Sequence, residues 1–159
     1  MLPRFSCWLA LAGAVIVADF VSKAWMLAAF QPHESVVVLP FFNLVLVFNS
    51  GAAFSFLAGA GGWQKWFFVS LALAISVWLV VMIRQHVAER LLPTALALVL
   101  GGALGNVIDR LRFGAVVDFL DFHIAGWHWP AFNVADSAIT VGVALLLWQQ
   151  LMHKEAAND

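Results

Sequence analysis

Ala131-Phe-Asn-Val-Ala-Asp-Ser-Ala-Ile-Thr-Val-Gly-Val-Ala-Leu-Leu-Leu-Trp148 is apolar enough to cross a bilayer and nevertheless carries a carboxylate. Continued to Leu151 it covers, at about 1.5 Å per residue, roughly the 30 Å of a hydrocarbon core. Read this way, Asp136 lies about a turn and a half inside the span. An aspartate near mid-span costs roughly 2.5 to 3.5 kcal/mol, so a chain that keeps one faces it toward partners or a water-filled cavity. Asn133, Asp136, Ser137 and Thr140 fall at i, i+3, i+4 and i+7 and so share one helical face. The carboxylate placed to meet that face is Asp118, in Val116-Val-Asp-Phe-Leu120, on the loop before the helix.

The composition agrees with a membrane setting. Of 159 residues, 64% are hydrophobic and 11% charged, which reads as a single integral membrane domain over residues 1–159. The formal net charge is −1 and the eight Lys and Arg occur singly, so no nucleic-acid partner is expected. The lone Cys7 forms no internal disulfide, and without clustered Cys and His or an HExxH motif no metal and no cofactor are expected. Arg4 followed by an apolar run has the outline of a secretory signal. The run continues through Asp19 and Lys23 to Phe30 without a small-residue cleavage site, and Arg4-Phe5-Ser6 do not suit a lipidated Cys7, so it reads as a retained first span.

Four segments reach bilayer length, at about 5–29, 66–83, 91–111 and 131–151. Four crossings return both termini to one side and put the connections 31–65 and 112–130 together on the other. Arg4, Arg84, Arg90 and Lys154 on the terminal side balance Lys23, Lys65, Arg110 and Arg112 opposite. With Lys23 and Arg110 assigned to partners within the helices, the remaining basic residues place the termini in the cytoplasm and the long connections outside it.

In the first connection, Ser35-Val-Val-Val-Leu39 and Asn43-Leu-Val-Leu-Val-Phe48, separated by Pro40, predict a small sheet lying on the membrane. Asn49-Ser-Gly-Ala-Ala-Phe-Ser55 follows as a turn-like element, and the glycines between 59 and 62 as a joint, with Trp63 and Trp66 as interfacial anchors. In the third span Ala97, Gly101 and Gly105 recur every four residues, the spacing that lets helices approach closely. Asn106, Asp109 and Arg110 end that span on one face, as Asp19 and Lys23 do in the first. The second span carries only Ser70 and Ser76 and reads as a scaffold. The expected fold class is an all-α integral membrane protein, four transmembrane helices with a small sheet-containing extracytoplasmic subdomain.

Two close carboxylates cannot both ionise cheaply, so their proton affinities separate, as acid and base roles at one pH require. Asp118 and Asp136 therefore suit a water-activating pair; spacing equally allows a loop aspartate and a second that pairs with a cation. Asp19 with Lys23, and Asp109 with Arg110, read as neutralised pairs that fix packing, and Arg110 can also hold a backbone carbonyl or a lipid headgroup. Asn49 and Asn133 can bind an extended peptide or cap their own backbone. A serine nucleophile is poorly specified: Ser22 is adjacent to Lys23 and points elsewhere, and Ser50, Ser55 and Ser137 have no evident base. His123 and His128, among Phe122, Trp127 and Trp129, read foremost as an interfacial loop, with a metal or catalytic role as the lesser alternative.

Five segments in order carry a family resemblance: Asp19-Phe-Val-Ser-Lys23, Asn49-Ser-Gly-Ala-Ala-Phe54, Gly101-Gly-Ala-Leu-Gly-Asn-Val-Ile-Asp-Arg110, Val116-Val-Asp-Phe119 and Phe132-Asn-Val-Ala-Asp-Ser137. Together they resemble lipoprotein signal peptidase (signal peptidase II), the membrane aspartyl peptidase of bacteria. The resemblance implies that Asp118 and Asp136 are the catalytic pair. It implies also that Asn49, Gly51, Asn106, Arg110 and Asn133 shape the substrate site, with Asp19, Lys23 and Asp109 in support. The implied substrate is a prolipoprotein whose lipobox cysteine already carries diacylglycerol, cut just before that cysteine. The expected setting is the bacterial inner membrane, with membrane lipid as the other partner, a monomeric enzyme and the site toward the extracytoplasmic face. Val47-Phe48 before the Asn-x-Gly turn and the loop 121–129 depart from the usual pattern and bear on loop contacts with substrate. The rival reading is a small proton- or cation-coupled carrier. No inverted repeat is visible, and the polar residues gather at one end instead of lining a path.

Overall fold

The computed structural model describes residues 2–51 and 61–156. The order of elements is α1 (Leu2–Ala29), β1 (Ser35–Leu39), β2 (Phe42–Asn49), α2 (Gln64–Gln85), α3 (Leu91–Phe113), β3 (Val116–Ile124), β4 (Trp127–His128) and α4 (Val134–Ala156). All four helices are long and apolar enough to cross a membrane, and they keep Val17, Val77, Trp78 and Leu147 exposed on their flanks. Such a continuous apolar surface suits lipid, not water.

Three helices pack on α3, and small residues make that possible. A Cβ added at Gly101 would stand 2.7 Å from the Ala12 carbonyl oxygen of α1, and one at Gly105 would stand 2.7 Å from Asp19 Oδ2. Gly102 abuts the Ala135 carbonyl of α4, and Gly142 of α4 abuts Ala95 of α3. The small-residue stripe thus faces α1, and glycines on either partner bring α4 as close. Ala12, Leu79, Ile83, Leu96, Ala97 and Leu100 fill one core within the bundle.

The four strands form one antiparallel sheet in the order β1-β2-β3-β4. Its strands come from both long connections, so these lie at the same end of the bundle. A β-bulge in β2 between Leu44 and Val47 shifts the register and leaves Val47 opposite Asp118. Val117 and Phe119 point to a second core with Met26 and Leu46, whereas Val116 and Asp118, on the other face of the strand, line a cleft.

Two expectations need correction. The connection expected as a loop over 112–130 supplies two strands: Asp118 sits within β3, and His123 and His128 are paired across a β-hairpin whose turn, Ala125-Gly126, has both φ angles positive. The fourth helix begins at Val134, not at Ala131, because Phe132 is extended and exchanges backbone hydrogen bonds with Leu120 of β3. Asp136 is therefore in the first helical turn instead of a turn and a half inside. Of the turn expected over 49–55 and the joint before Gly61, residues 52–60 lie outside the described residues.

Candidate active site

The end of the bundle next to the sheet holds a cleft of about 830 Å³. Its floor carries Asp118 from β3 and Asp136 from the first turn of α4; Asn49, Gly51, Asn106 and Arg110 border them. The cleft continues between α2 and α4 along apolar side chains, among them Phe68, Leu71 and Ile75 of α2 and Ile139 of α4. The second helix, expected only as a scaffold, is thus one wall of the cleft. It was missed because an apolar face toward lipid and one toward a lipid-like ligand look the same in sequence.

Each carboxylate is held by an asparagine amide. Asn133 Nδ2 donates to Asp118 Oδ1 at 2.7 Å and Asn106 Nδ2 donates to Asp136 Oδ1 at 2.8 Å. Asn133 Nδ2 also reaches Asn106 Oδ1 at 3.3 Å, so the two amides link the two acids. Asn49 Nδ2 adds a longer bond to Asp118 Oδ2 at 3.3 Å. Asn133 caps α4, its Oδ1 accepting the Asp136 N–H at 2.8 Å. This side chain is wholly buried, so its contacts lie behind the cleft instead of on an extended peptide. Ser137 and Thr140 share the face but return their hydroxyls to the Asn133 and Asp136 carbonyls.

Behind the asparagines lies a buried charge cluster. Lys23 Nζ spends its three N–H groups on Asp19 Oδ2 at 2.7 Å, Asp109 Oδ2 at 2.8 Å and Asn106 Oδ1 at 3.2 Å. Asp109 thus pairs with Lys23 of α1 and not with its neighbour Arg110, since residues i and i+1 diverge on a helix. The two supporting aspartates also hold backbone. Asp109 Oδ2 accepts the Val117 N–H at 3.1 Å, and Asp19 Oδ1 accepts the Ala135 N–H at 2.9 Å. Each bond fixes the residue immediately before a cleft aspartate. No sequence spacing signals these contacts, because they join residues on different elements.

Arg110 lies over the Phe68 ring and donates Nη2 to the Gly51 carbonyl at 3.0 Å, the backbone-carbonyl role open to it in the sequence. Gly51 N–H in turn donates to Asn49 Oδ1 at 3.0 Å. Among the described residues the buried Arg110 Nε has no hydrogen-bond partner.

Burial pushes the Asp118 carboxyl up to about 7, reinforced by the Asp136 charge and opposed by the Asn49 and Asn133 hydrogen bonds and by Lys23. Among the described residues no three His, Cys, Asp or Glu side chains are grouped to hold a metal ion. With an acid that holds its proton near neutrality beside a second carboxylate, the arrangement can polarise a carbonyl and activate water in a site shielded from bulk solvent.

Residues 11–152 match the family described as Signal peptidase (SPase) II. The lipoprotein signal peptidase of Azoarcus sp. (strain BH72) is 59% identical over 161 residues, covering 99% of this chain and 89% of that relative. That of Paraburkholderia phymatum is 53% identical over 151 residues, covering 95% and 91%. A bacterial membrane enzyme structure obtained by the in meso method at 2.3 Å resolution superposes with a TM-score of 0.85 at 34% identity, covering 97% of this chain and 92% of the other. A second, at 1.9 Å, gives 0.76 at 33% identity, covering 92% and 93%.

Proposed function

The chain belongs to the signal peptidase II family, aspartic peptidases that remove the signal peptide from lipoprotein precursors in the bacterial membrane, and we propose that Asp118 and Asp136 are the carboxylates that do so here. The observation that carries this is the placement of both acids on one cleft that continues, along apolar side chains, between α2 and α4. The carrier reading has no such support, since the buried polar network is gathered at one end of the bundle.

In this reading the dyad carries one proton between its two acids. The ionised carboxylate takes a proton from water as the water attacks the carbonyl preceding the diacylglyceryl cysteine. The protonated one polarises that carbonyl. Collapse of the tetrahedral intermediate breaks the C–N bond, and a proton passes from the dyad to the leaving amine. The shared proton belongs to the pair, so neither limb of a pH profile is assigned to one residue. Asn133 and Asn106 hold the acids at fixed orientation, while Lys23, Asp19 and Asp109 hold the backbone that presents them. A signal-peptide helix entering from lipid must unwind at the scissile bond, and its freed backbone groups need partners at that depth. Asn49, Gly51, Asn106 and Arg110 border the acids and supply them.

Acyl chains, each buried CH₂ worth about 0.8 kcal/mol, keep the modified substrate in the membrane, which favours a site reached sideways. The protein acts as a monomer among membrane lipids, with cytoplasmic termini and the cleft at the extracytoplasmic end. The test is cleavage of a diacylglyceryl-modified prolipoprotein by purified protein in lipid. Release of the signal peptide by the wild type but not by Asp118→Asn or Asp136→Asn is expected, and a variant with near wild-type turnover removes that aspartate from the mechanism.

A further inference from the structure

Outside the cleft, the hairpin of β3 and β4 carries a second polar network that the peptidase reading does not use. His123 and His128 are cross-strand partners whose rings stack with centroids 4.8 Å apart and planes at 23°. The Trp129 N–H bonds the Phe122 carbonyl and the two-residue turn closes at Ile124 and Trp127. His123 and His128 therefore occupy a non-hydrogen-bonded position, where facing side chains come closest. Asp121, two residues before His123 and on the same face, is buried, as is Asn43 of β2.

The network fixes one tautomer for each ring. A carboxylate can only accept, so the contacts of His128 Nδ1 with Asp121 Oδ1 and Oδ2, at 2.9 and 3.0 Å, put the proton on Nδ1. Asn43 Nδ2 donates to Asp121 Oδ2 at 2.9 Å, which settles the orientation of that amide and turns Oδ1 to His123. His123 Nε2, 3.3 Å from Asn43 Oδ1, must then be the donor. In the neutral rings His128 Nε2 and His123 Nδ1 are left as bare acceptors, with no hydrogen bond among the described residues. A histidine whose far nitrogen donates to a carboxylate or a carbonyl oxygen is the usual arrangement at metal centres, where that bond fixes the ring and raises its basicity. The side chain of His128 is 51% exposed, so it can tilt toward its partner.

We propose that His123 and His128 form a two-imidazole site for a transition-metal dication of the zinc and copper type, completed by water and held in register by Asp121 and Asn43. Imidazole nitrogen suits these ions, with metal–nitrogen bonds of about 2.0 to 2.1 Å; the rings stack nearly parallel, so binding requires one of them to turn until the two in-plane lone pairs meet on one ion. The proposal does not depend on the peptidase assignment.

The test uses the full chain without a polyhistidine tag, in detergent, titrated with ZnCl2 by calorimetry and with CuCl2 by electron paramagnetic resonance. Saturable binding of one ion per chain and a copper spectrum split by two nitrogens are expected. His123→Gln or His128→Gln should weaken binding at least tenfold, and Asp121→Asn by roughly 10- to 100-fold. Thermal melting of each variant without metal reports folding, and the glutamine variant at the exposed His128 serves if Asp121→Asn or His123→Gln does not fold. Equal binding by wild type and the His123→Gln, His128→Gln double variant, or no saturable binding at all, overturns the proposal.

Discussion

Replacing Asp118 by asparagine separates what the residue does for chemistry from what it does to stability. The residue is 3% exposed, and burial first, then the Asp136 charge, carry its carboxyl from an ordinary 3.8 to about 7. Because the folded-state value is raised, the stability tied to this group is complete below about pH 3.8 and is lost as pH rises through about 7. At about 1.4 kcal/mol per pH unit, the gap sets a ceiling of roughly 4 kcal/mol on the loss. Asparagine is neutral throughout and its oxygen can still accept from Asn133. Its amide would oppose the Asn49 donor, a mismatch of about 1 kcal/mol or more. The variant should therefore gain about 1 to 3 kcal/mol at pH 8, raising Tm by roughly 5 °C at about 2 to 4 °C per kcal/mol. At pH 4.5, where the wild-type acid is protonated, the two proteins should melt together or the variant slightly lower. Melts in one detergent at both pH values, beside cleavage assays, measure this. A Tm difference that does not grow more positive between pH 4.5 and pH 8 would refute the view of Asp118 as an acid held at a cost to stability.

The rate itself should follow a bell in kcat/KM. The alkaline limb follows loss of the proton that the pair shares; for an apparent value of about 7 the protonated fraction falls to about 1% by pH 9, and kcat/KM should drop roughly 50-fold from pH 7; a rate still rising at pH 9 would point to a different base, although Lys23 has all three donors engaged. Lys23→Ala strands two carboxylates whose side chains are 2% and 4% exposed, and loss of one partner of a buried pair costs about 3 to 5 kcal/mol. Its Tm should fall by about 10 °C, and an unchanged melt would show that the cluster is not structural. Gly105→Ala drives a methyl to within 2.7 Å of Asp19 Oδ2, whereas a Cβ at Gly13 meets nothing within 4 Å. Turnover and Tm should fall for the first and hold or rise for the second; equal effects would discount the close approach of α1 and α3. Chelators should leave cleavage unchanged, and activity lost in EDTA and restored by zinc would contradict the two-carboxylate mechanism.

The four helices and the polar stripes were legible because apolar run length and helical period are local properties. The strand carrying Asp118 was not, since Val116-Val-Asp-Phe119 is short and its two faces meet different surroundings: Val117 and Phe119 enter a core with Met26, while Asp118 faces the cleft. Asp136 stands out in the sequence as a carboxylate within an apolar run, but it lies in the first turn of α4 and not at depth. An aspartate at mid-span would need a partner for its whole desolvation cost, but Phe132 is held by Leu120 and delays the helix to Val134. Asp136 then sits at the positive end of α4, where unpaired N–H groups favour negative charge. Asp19 applies the same principle from α1 by accepting the Ala135 N–H, and Asp109 does so for Val117. Lys23 balances these two supporting acids together. One lysine thus couples the position of a helix start to that of a strand, and so the position of one cleft carboxylate to the other. The residues of that coupling were all visible as charges on helix faces, but their pairing depends on α1, α3, β3 and α4 meeting, which only packing at Gly101, Gly102 and Gly105 brings about.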